Sequence, residues 1–323
     1  MKRAVVGIFL GLALSAAGIA LVGVRIGEPP RIERIWPLAP ALAVVLSLWL
    51  IQGVAASVLV RPYITGLQLR EMTRIYLAAQ AVGGLTPFGG VEIPYQMLLF
   101  KRLGIPAGVG VAVVIVKSVL NGTVLVAGAV VAFLSISRPA EFGSTVLIVA
   151  IAVVVGVWAL MLLGASRAYE DGRRSVGSGW RARLANLLRD SRDSFARLWS
   201  REPRAIVACA ALMTLYWILY PLLGILALMA AGWSGEGWPQ VFLVQFLIYL
   251  LIPLSPTPGN SGGAEVAFAT LAAAYVAPGT LVGGVLTWRL LNHYLMIVVG
   301  GFFAGRGAPQ DLALARQELG RNE

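Results

Sequence analysis

Six apolar runs, each too long for the core of a small water-soluble domain, govern what this chain can become. They extend from Ala4 to Val24, Pro37 to Val60, Ala107 to Leu134, Gly143 to Gly164, Ala205 to Ala231 and Gly279 to Ala304. Each is long enough to cross roughly 30 Å of hydrocarbon as a helix. Only 13% of the 323 residues are charged, against about 25% in a soluble domain, so lipid is the solvent for most of the chain. The first run follows Lys2 and Arg3 as a signal peptide would. Its 21 residues exceed the roughly 7–15 of a signal core, and it reads as an uncleaved span. One cysteine, Cys209, excludes an internal disulfide and a Cys-rich metal site. One histidine, His293, leaves little room for a His-ligated metal or a catalytic triad. No metal, no cofactor and no catalytic residue is expected.

Six spans put both termini on the same side, and the 26 Lys and Arg residues decide which. With the N-terminus inside, twenty lie in inner segments and four in outer ones (Arg25, Arg31, Arg34 and Arg138), while Lys117 and Arg289 fall within spans. That asymmetry places both termini in the cytoplasm of a cell whose plasma (inner) membrane holds the protein. The net charge of +11 therefore answers to membrane orientation and anionic lipid, and no nucleic acid is expected as a partner. Within the inner loop 165–204, residues 180–199 repeat Leu184, Leu187, Leu188, Phe195 and Leu198 at helical spacing among arginines. This pattern predicts an amphipathic helix on the inner leaflet.

Two further apolar segments are interrupted. Residues 75–100 are broken by the Gly83-Gly84-Leu85-Thr86-Pro87-Phe88-Gly89-Gly90 stretch, and residues 241–276 by the stretch from Pro253 to Gly263. Proline removes a backbone donor and glycine runs do not sustain a helix. The flanking pieces of about 10–13 residues reach roughly half-way across a bilayer. Both segments read as re-entrant helix–break–helix hairpins, whose irregular backbone must be covered by protein or reached by water. The two also share an order: Thr86-Pro87, Gly89-Gly90-Val91-Glu92, Lys117 and Asn121 in one, Thr257-Pro258, Gly262-Gly263-Ala264-Glu265, Arg289 and Asn292 in the other. Glutamate and base are 25 residues apart in the first copy and 24 in the second. The first hairpin starts and ends inside, the second outside. The expected fold is thus all-α and polytopic, a single transmembrane domain over 1–323 with six full spans and two oppositely oriented hairpins. They form an inverted repeat (37–134 and 205–304), the arrangement of alternating-access transporters.

Glu92, Glu265, Lys117 and Arg289 are the deepest charges in this arrangement, each costing about 2.5–3.5 kcal/mol at a helix centre. They must be paired, hydrated or used. One reading has the glutamates satisfy helix dipoles and pair with the two bases. The other adds that Lys117 and Arg289 capture an anionic headgroup, aided by backbone N–H groups at the hairpin tips near Thr86, Gly90, Thr257 and Gly263. Asn121 and Asn292 lie a turn beyond the bases, placed to complete a headgroup cage or to bridge helices. His293 reads as a packing residue beside this layer, and Tyr216, Trp217, Tyr220 and Trp288 as packing or interface anchors.

At these residues the chain resembles the lysylphosphatidylglycerol synthase transmembrane-region family, or flippase-like domain family, which includes the lipid-translocating half of the multiple peptide resistance factor. The resemblance rests on Pro256-Thr257-Pro258-Gly259 through Glu265 with the Arg289 helix, and on Leu85-Thr86-Pro87 to Glu92 followed by Arg102-Leu103-Gly104-Ile105. It runs from about Ala41 to Gly305. Family members often carry a base four positions after the first glutamate, where this chain has Gln96. Bifunctional members add a soluble aminoacyltransferase domain, for which nothing after Arg306 suffices. The resemblance implies translocation of a lipid headgroup without synthesis of the lipid. The partner would be an anionic phospholipid, an aminoacylated lipid or a polyprenyl phosphate. A membrane-embedded lipid-phosphate transferase and a secondary transporter of a small anion remain the alternatives, and a homodimer is left open.

Overall fold

The computed structural model describes residues 29–136 apart from 65, 67, 87 and 88, residues 180–320 apart from 253, 254 and 256, and residues 148, 152, 155 and 156. The expected span from Ala4 to Val24 lies outside the described residues, as does nearly all of the one from Gly143 to Gly164. The elements are α1 (Leu38–Val60), α2 (Leu69–Gly83), α3 (Glu92–Arg102), α4 (Ala107–Ser135), α5 (Trp180–Arg201), α6 (Pro203–Ala230), α7 (Trp238–Leu251), α8 (Gly263–Ala272), α9 (Pro278–Arg289), a π-turn (Leu290–Tyr294) and α10 (Leu295–Gly320). Among the described residues four helices are long and apolar enough to cross a membrane: α1, α4, α6 and the continuous stretch Pro278–Gly307. Each matches an expected span with ends that differ by three residues at most.

Proline and glycine set these limits. Pro37 and Pro106 immediately precede α1 and α4, and Pro203 and Pro278 open α6 and α9. A helix's first turn needs no N–H from them. Both interrupted segments form helix–break–helix pairs whose two arms pack together, α2 with α3 and α7 with α8. Boundaries differ from expectation: the second pair runs from Trp238 to Ala272 rather than over 241–276, and the larger shift is in the first. The first arm begins at Leu69 rather than Ile75, and Arg70, Glu71 and Arg74 join it. Hydropathy marks where an apolar stretch starts, whereas charged residues of good helix propensity extend the helix beyond it. The predicted amphipathic helix is present as α5, and part of its inward face serves protein contact. Ser191, Ser194 and Leu198 are buried, and a Cβ on Gly108 of α4 would stand 2.5 Å from that of Asp190.

The packing is crossed. α1 and α6 lie against each other. The arm α2 packs on α10, far along the chain, while the arm α7 packs on α4. Each interrupted pair therefore leans on the long helix that follows the other pair. Small residues permit the close approaches. A Cβ on Gly300 would fall 2.1 Å from the Leu77 carbonyl oxygen, and one on Gly128 2.2 Å from the Phe246 ring.

This predicts a contrast between two adjacent glycines. Gly300→Ala must force α10 off α2, costing about 1–3 kcal/mol as overpacking does. Gly301→Ala, whose Cβ meets nothing within 4 Å, should be neutral or gain about 0.5–1 kcal/mol from helix propensity. Thermal unfolding of the two variants in detergent checks the difference.

Candidate functional site

Between Leu251 and Gly263 the chain leaves the helix and must satisfy its backbone by other means. Gly259, Asn260 and Gly262 adopt positive φ angles of 59°, 55° and 85°, conformations that glycine takes freely and asparagine tolerates. Thr257 Oγ1 donates to the Ser261 carbonyl at 2.6 Å and lies 2.8 Å from Ser255 Oγ. With its amide turned so that nitrogen donates, Asn260 bonds the Ser255 carbonyl at 3.0 Å and that of Ile252 at 3.3 Å.

Arg289 ties this irregular backbone to the α9 helix. Its Nε donates to Glu265 Oε1 at 2.8 Å, and its Nη2 donates to the Gly259 carbonyl and to Ser261 Oγ, both at 3.1 Å. Glu265, third residue of α8, accepts the Gly262 N–H on its other oxygen at 2.7 Å, the backward half of a capping box. The ion pair is sealed from solvent, with 3% of Arg289 and none of Glu265 exposed.

The first break is held differently. Glu92 opens α3 and accepts from Gln80 Nε2 at 2.7 Å. Thr86 Oγ1 donates to the Gly83 carbonyl at 2.9 Å. Lys117 is part-buried, and its ammonium sits 5.3 Å from the centre of the Tyr76 ring. Among the described residues no ion pair joins Glu92 and Lys117, whose partners are Gln80 and the Tyr76 ring. The two glutamate–base pairs thus occupy matching places in sequence and unlike states in structure.

The two breaks meet. A Cβ on Gly259 would lie 3.0 Å from the Gly84 carbonyl oxygen and 2.3 Å from the His293 ring. His293 belongs to the π-turn, a distortion frequent at functional sites. Beside this junction is a cavity of about 190 Å³ whose polar lining is Gln80, Asn260, Arg289, Asn292 and His293. Trp49, Tyr76, Tyr216, Tyr220 and Tyr249 form its aromatic wall. Lys117 and Glu92 reach it at one remove, through Tyr76 and Gln80.

Of the residues singled out in the sequence, the structure brings Arg289 and Asn292 to the cavity with Glu265 directly behind. Both asparagines are held by α6. The Trp217 indole donates to the Asn121 backbone carbonyl at 2.9 Å and to its Oδ1 at 3.1 Å, and the Tyr220 hydroxyl donates to Asn292 Oδ1 at 2.7 Å. Thr86 and Thr257 spend their hydroxyls on local backbone, while Gly90 and Gly263 are exposed and a Cβ on Gly263 would meet Ser255 Oγ at 2.8 Å. Tyr216 and Tyr220, read above as packing or anchors, line the cavity, whereas Trp288 is fully buried and donates to the Tyr249 hydroxyl at 3.0 Å. Gln80 had not been singled out. A polar side chain in an otherwise apolar arm was its available signal. The chemistry gathered here is a guanidinium, amides, phenol hydroxyls and an imidazole, suited to phosphate and hydroxyl groups.

The sequence model of the family described as Lysylphosphatidylglycerol synthase TM region matches residues 8–300. A protein named UPF0104 membrane protein, from Archaeoglobus fulgidus, is 21% identical over 283 residues, which cover 81% of this chain and 84% of that protein. With the four apolar helices, these matches make the chain a multi-pass membrane protein.

Removing one member of the sealed pair should be costly. Arg289→Met leaves Glu265 an uncompensated buried charge and should lose about 3–5 kcal/mol. The double variant Glu265→Gln/Arg289→Met should lose much less than the two single losses combined. Lys117→Met, which breaks no ion pair, should lose less than Arg289→Met. Denaturant unfolding in detergent measures all four.

Proposed function

The chain belongs to the lysylphosphatidylglycerol synthase transmembrane-region family, and we propose that it is a lipid flippase, without enzymatic activity, of the plasma membrane. On this reading a polar, phosphate-bearing headgroup passes through the central cavity while its tails stay in the bilayer. The observation that carries the proposal is the Arg289–Glu265 pair, buried at the point where two helix breaks touch beside a polar cavity. A guanidinium held by a carboxylate is a resting state: phosphate oxygens accept from a guanidinium as a carboxylate does, so that an arriving headgroup replaces Glu265. Tyr220, Asn292 and Gln80 would then meet the remaining oxygens and hydroxyls, and Lys117 would supply the second positive charge.

The crossed packing supports the inverted repeat. Exchange of partners, with α2 on α10, α7 on α4 and α1 against α6, is what two related units facing opposite ways produce. Lys117 lies ten residues beyond Ala107 in α4 and Arg289 eleven beyond Pro278 in α9. Each is about 15 Å into its helix, the depth at which re-entrant arms from opposite faces would converge. Rocking of one unit against the other would expose the cavity to each leaflet in turn. Twenty inner bases against four outer ones place both termini in the cytoplasm under this scheme.

Transfer of tail-labelled phosphatidylglycerol in proteoliposomes, read by its accessibility to a membrane-impermeant reductant, tests the proposal. Lys117→Gln should slow transfer about tenfold or more, the loss expected when a charged hydrogen bond disappears. Glu265→Gln/Arg289→Gln, which leaves no uncompensated buried charge, should do the same. Undiminished transfer in both variants overturns the role given to these bases.

A further inference from the structure

A second cavity, of about 360 Å³, lies apart from the central one, where α2, α3 and α10 come together. Its volume falls in the range of about 300–1,000 Å³ usual for small-molecule sites. Three of its lining residues are arginines: Arg74 from the start of α2, Arg102 from the last turn of α3 and Arg306 from α10. Glu71 is the one acidic lining residue. Ile75, Leu99, Leu103 and Phe303 make the rest of the wall largely apolar.

Position gives this composition its meaning. Arg306 follows the apolar run Gly279–Ala304 by two residues, so the cavity stands where the apolar part of that helix gives way to polar sequence, the level at which lipid headgroups are met. The Arg74 guanidinium lies 5.4 Å from the centre of the Phe303 ring, and that of Arg306 lies 4.2 Å from the Phe302 ring. Aromatic faces thus hold two cations in place while leaving their edges to an anion. Phe302, against which Arg306 lies, is 53% exposed, an apolar surface next to the arginines.

We propose that this groove binds one anionic phospholipid of the adjoining leaflet, its phosphate among Arg74, Arg102 and Arg306 and its tails along the apolar side of α2 and α10. The ligand is a lipid rather than a free anion, because a soluble phosphate would make no use of the apolar wall or the exposed Phe302. Bound there, the lipid fastens α3 to α2 and α10 at one end of the first interrupted pair. The site stands independently of the flippase reading, since none of its residues borders the central cavity.

Native mass spectrometry of the full chain in detergent tests it, with dihexanoyl phosphatidylglycerol, dihexanoyl phosphatidylcholine and inorganic phosphate as probes. The expected result is one tight adduct with phosphatidylglycerol, about tenfold weaker in Arg306→Gln and weaker again in Arg74→Gln/Arg306→Gln. Arg306 is exposed, so its single variant reports binding even where the double variant fails to fold. Glu71→Gln should tighten binding by removing a repelling charge, a gain that a merely structural role would not give. The adduct should survive Lys117→Gln. Loss of the adduct in Lys117→Gln would assign it to the central cavity and overturn the proposal. Equal binding of phosphatidylcholine would overturn the role of charge, and equal binding of inorganic phosphate the role of the tails. Unchanged affinity in Arg306→Gln would also overturn it.

Discussion

A peptide group that leaves the helix at membrane depth has no water to turn to, and its hydrogen bonds must come from the protein. Arg289 answers part of that demand for the break between Leu251 and Gly263, beside Thr257 and Asn260. A single guanidinium spans a carbonyl, a hydroxyl and a carboxylate, and the carboxylate in turn takes the N–H that precedes α8. Lysine could not do the same, because its donors share one nitrogen and do not form a planar fork. The irregular stretch, the ion pair and the cavity beside them are therefore one construction, and each part needs the others.

The two halves solve the same problem to different degrees. In the second, carboxylate and base are locked together out of reach of solvent. In the first, Glu92 leans on a neutral amide and Lys117 on an aromatic face. A neutral partner and a ring hold a charge less firmly than an opposite charge does, so the first half is the looser in this conformation. The proposed alternation would draw on this inequality between the two halves.

Helix limits were legible because proline and glycine act locally. Gly83-Gly84 ends α2 and Pro203 opens α6 whatever surrounds them. The matched spacing of Glu265 and Arg289 was equally local, a count along one chain. Other features depend on neighbours far away in sequence. Tyr216 and Tyr220 look like core residues by spacing, and only the arrival of α1, α7 and the π-turn makes them a cavity wall. The π-turn itself has no compositional signature, so the approach of His293 to both breaks could not be read. The extension of α2 to Leu69 was missed because the apolar pattern ends before the helix does.

The exchange of packing partners also bears on how such a chain is made. The arm α2 emerges early from the ribosome, yet the surface it packs on belongs to α10, near the opposite end of the sequence. Until α10 has been made, the face that meets Gly300 and the polar break after it lack their permanent cover. Contacts this distant in sequence form slowly. The growing protein must therefore spend its time in the membrane half-built, with lipid or an insertion partner standing in for the missing helix.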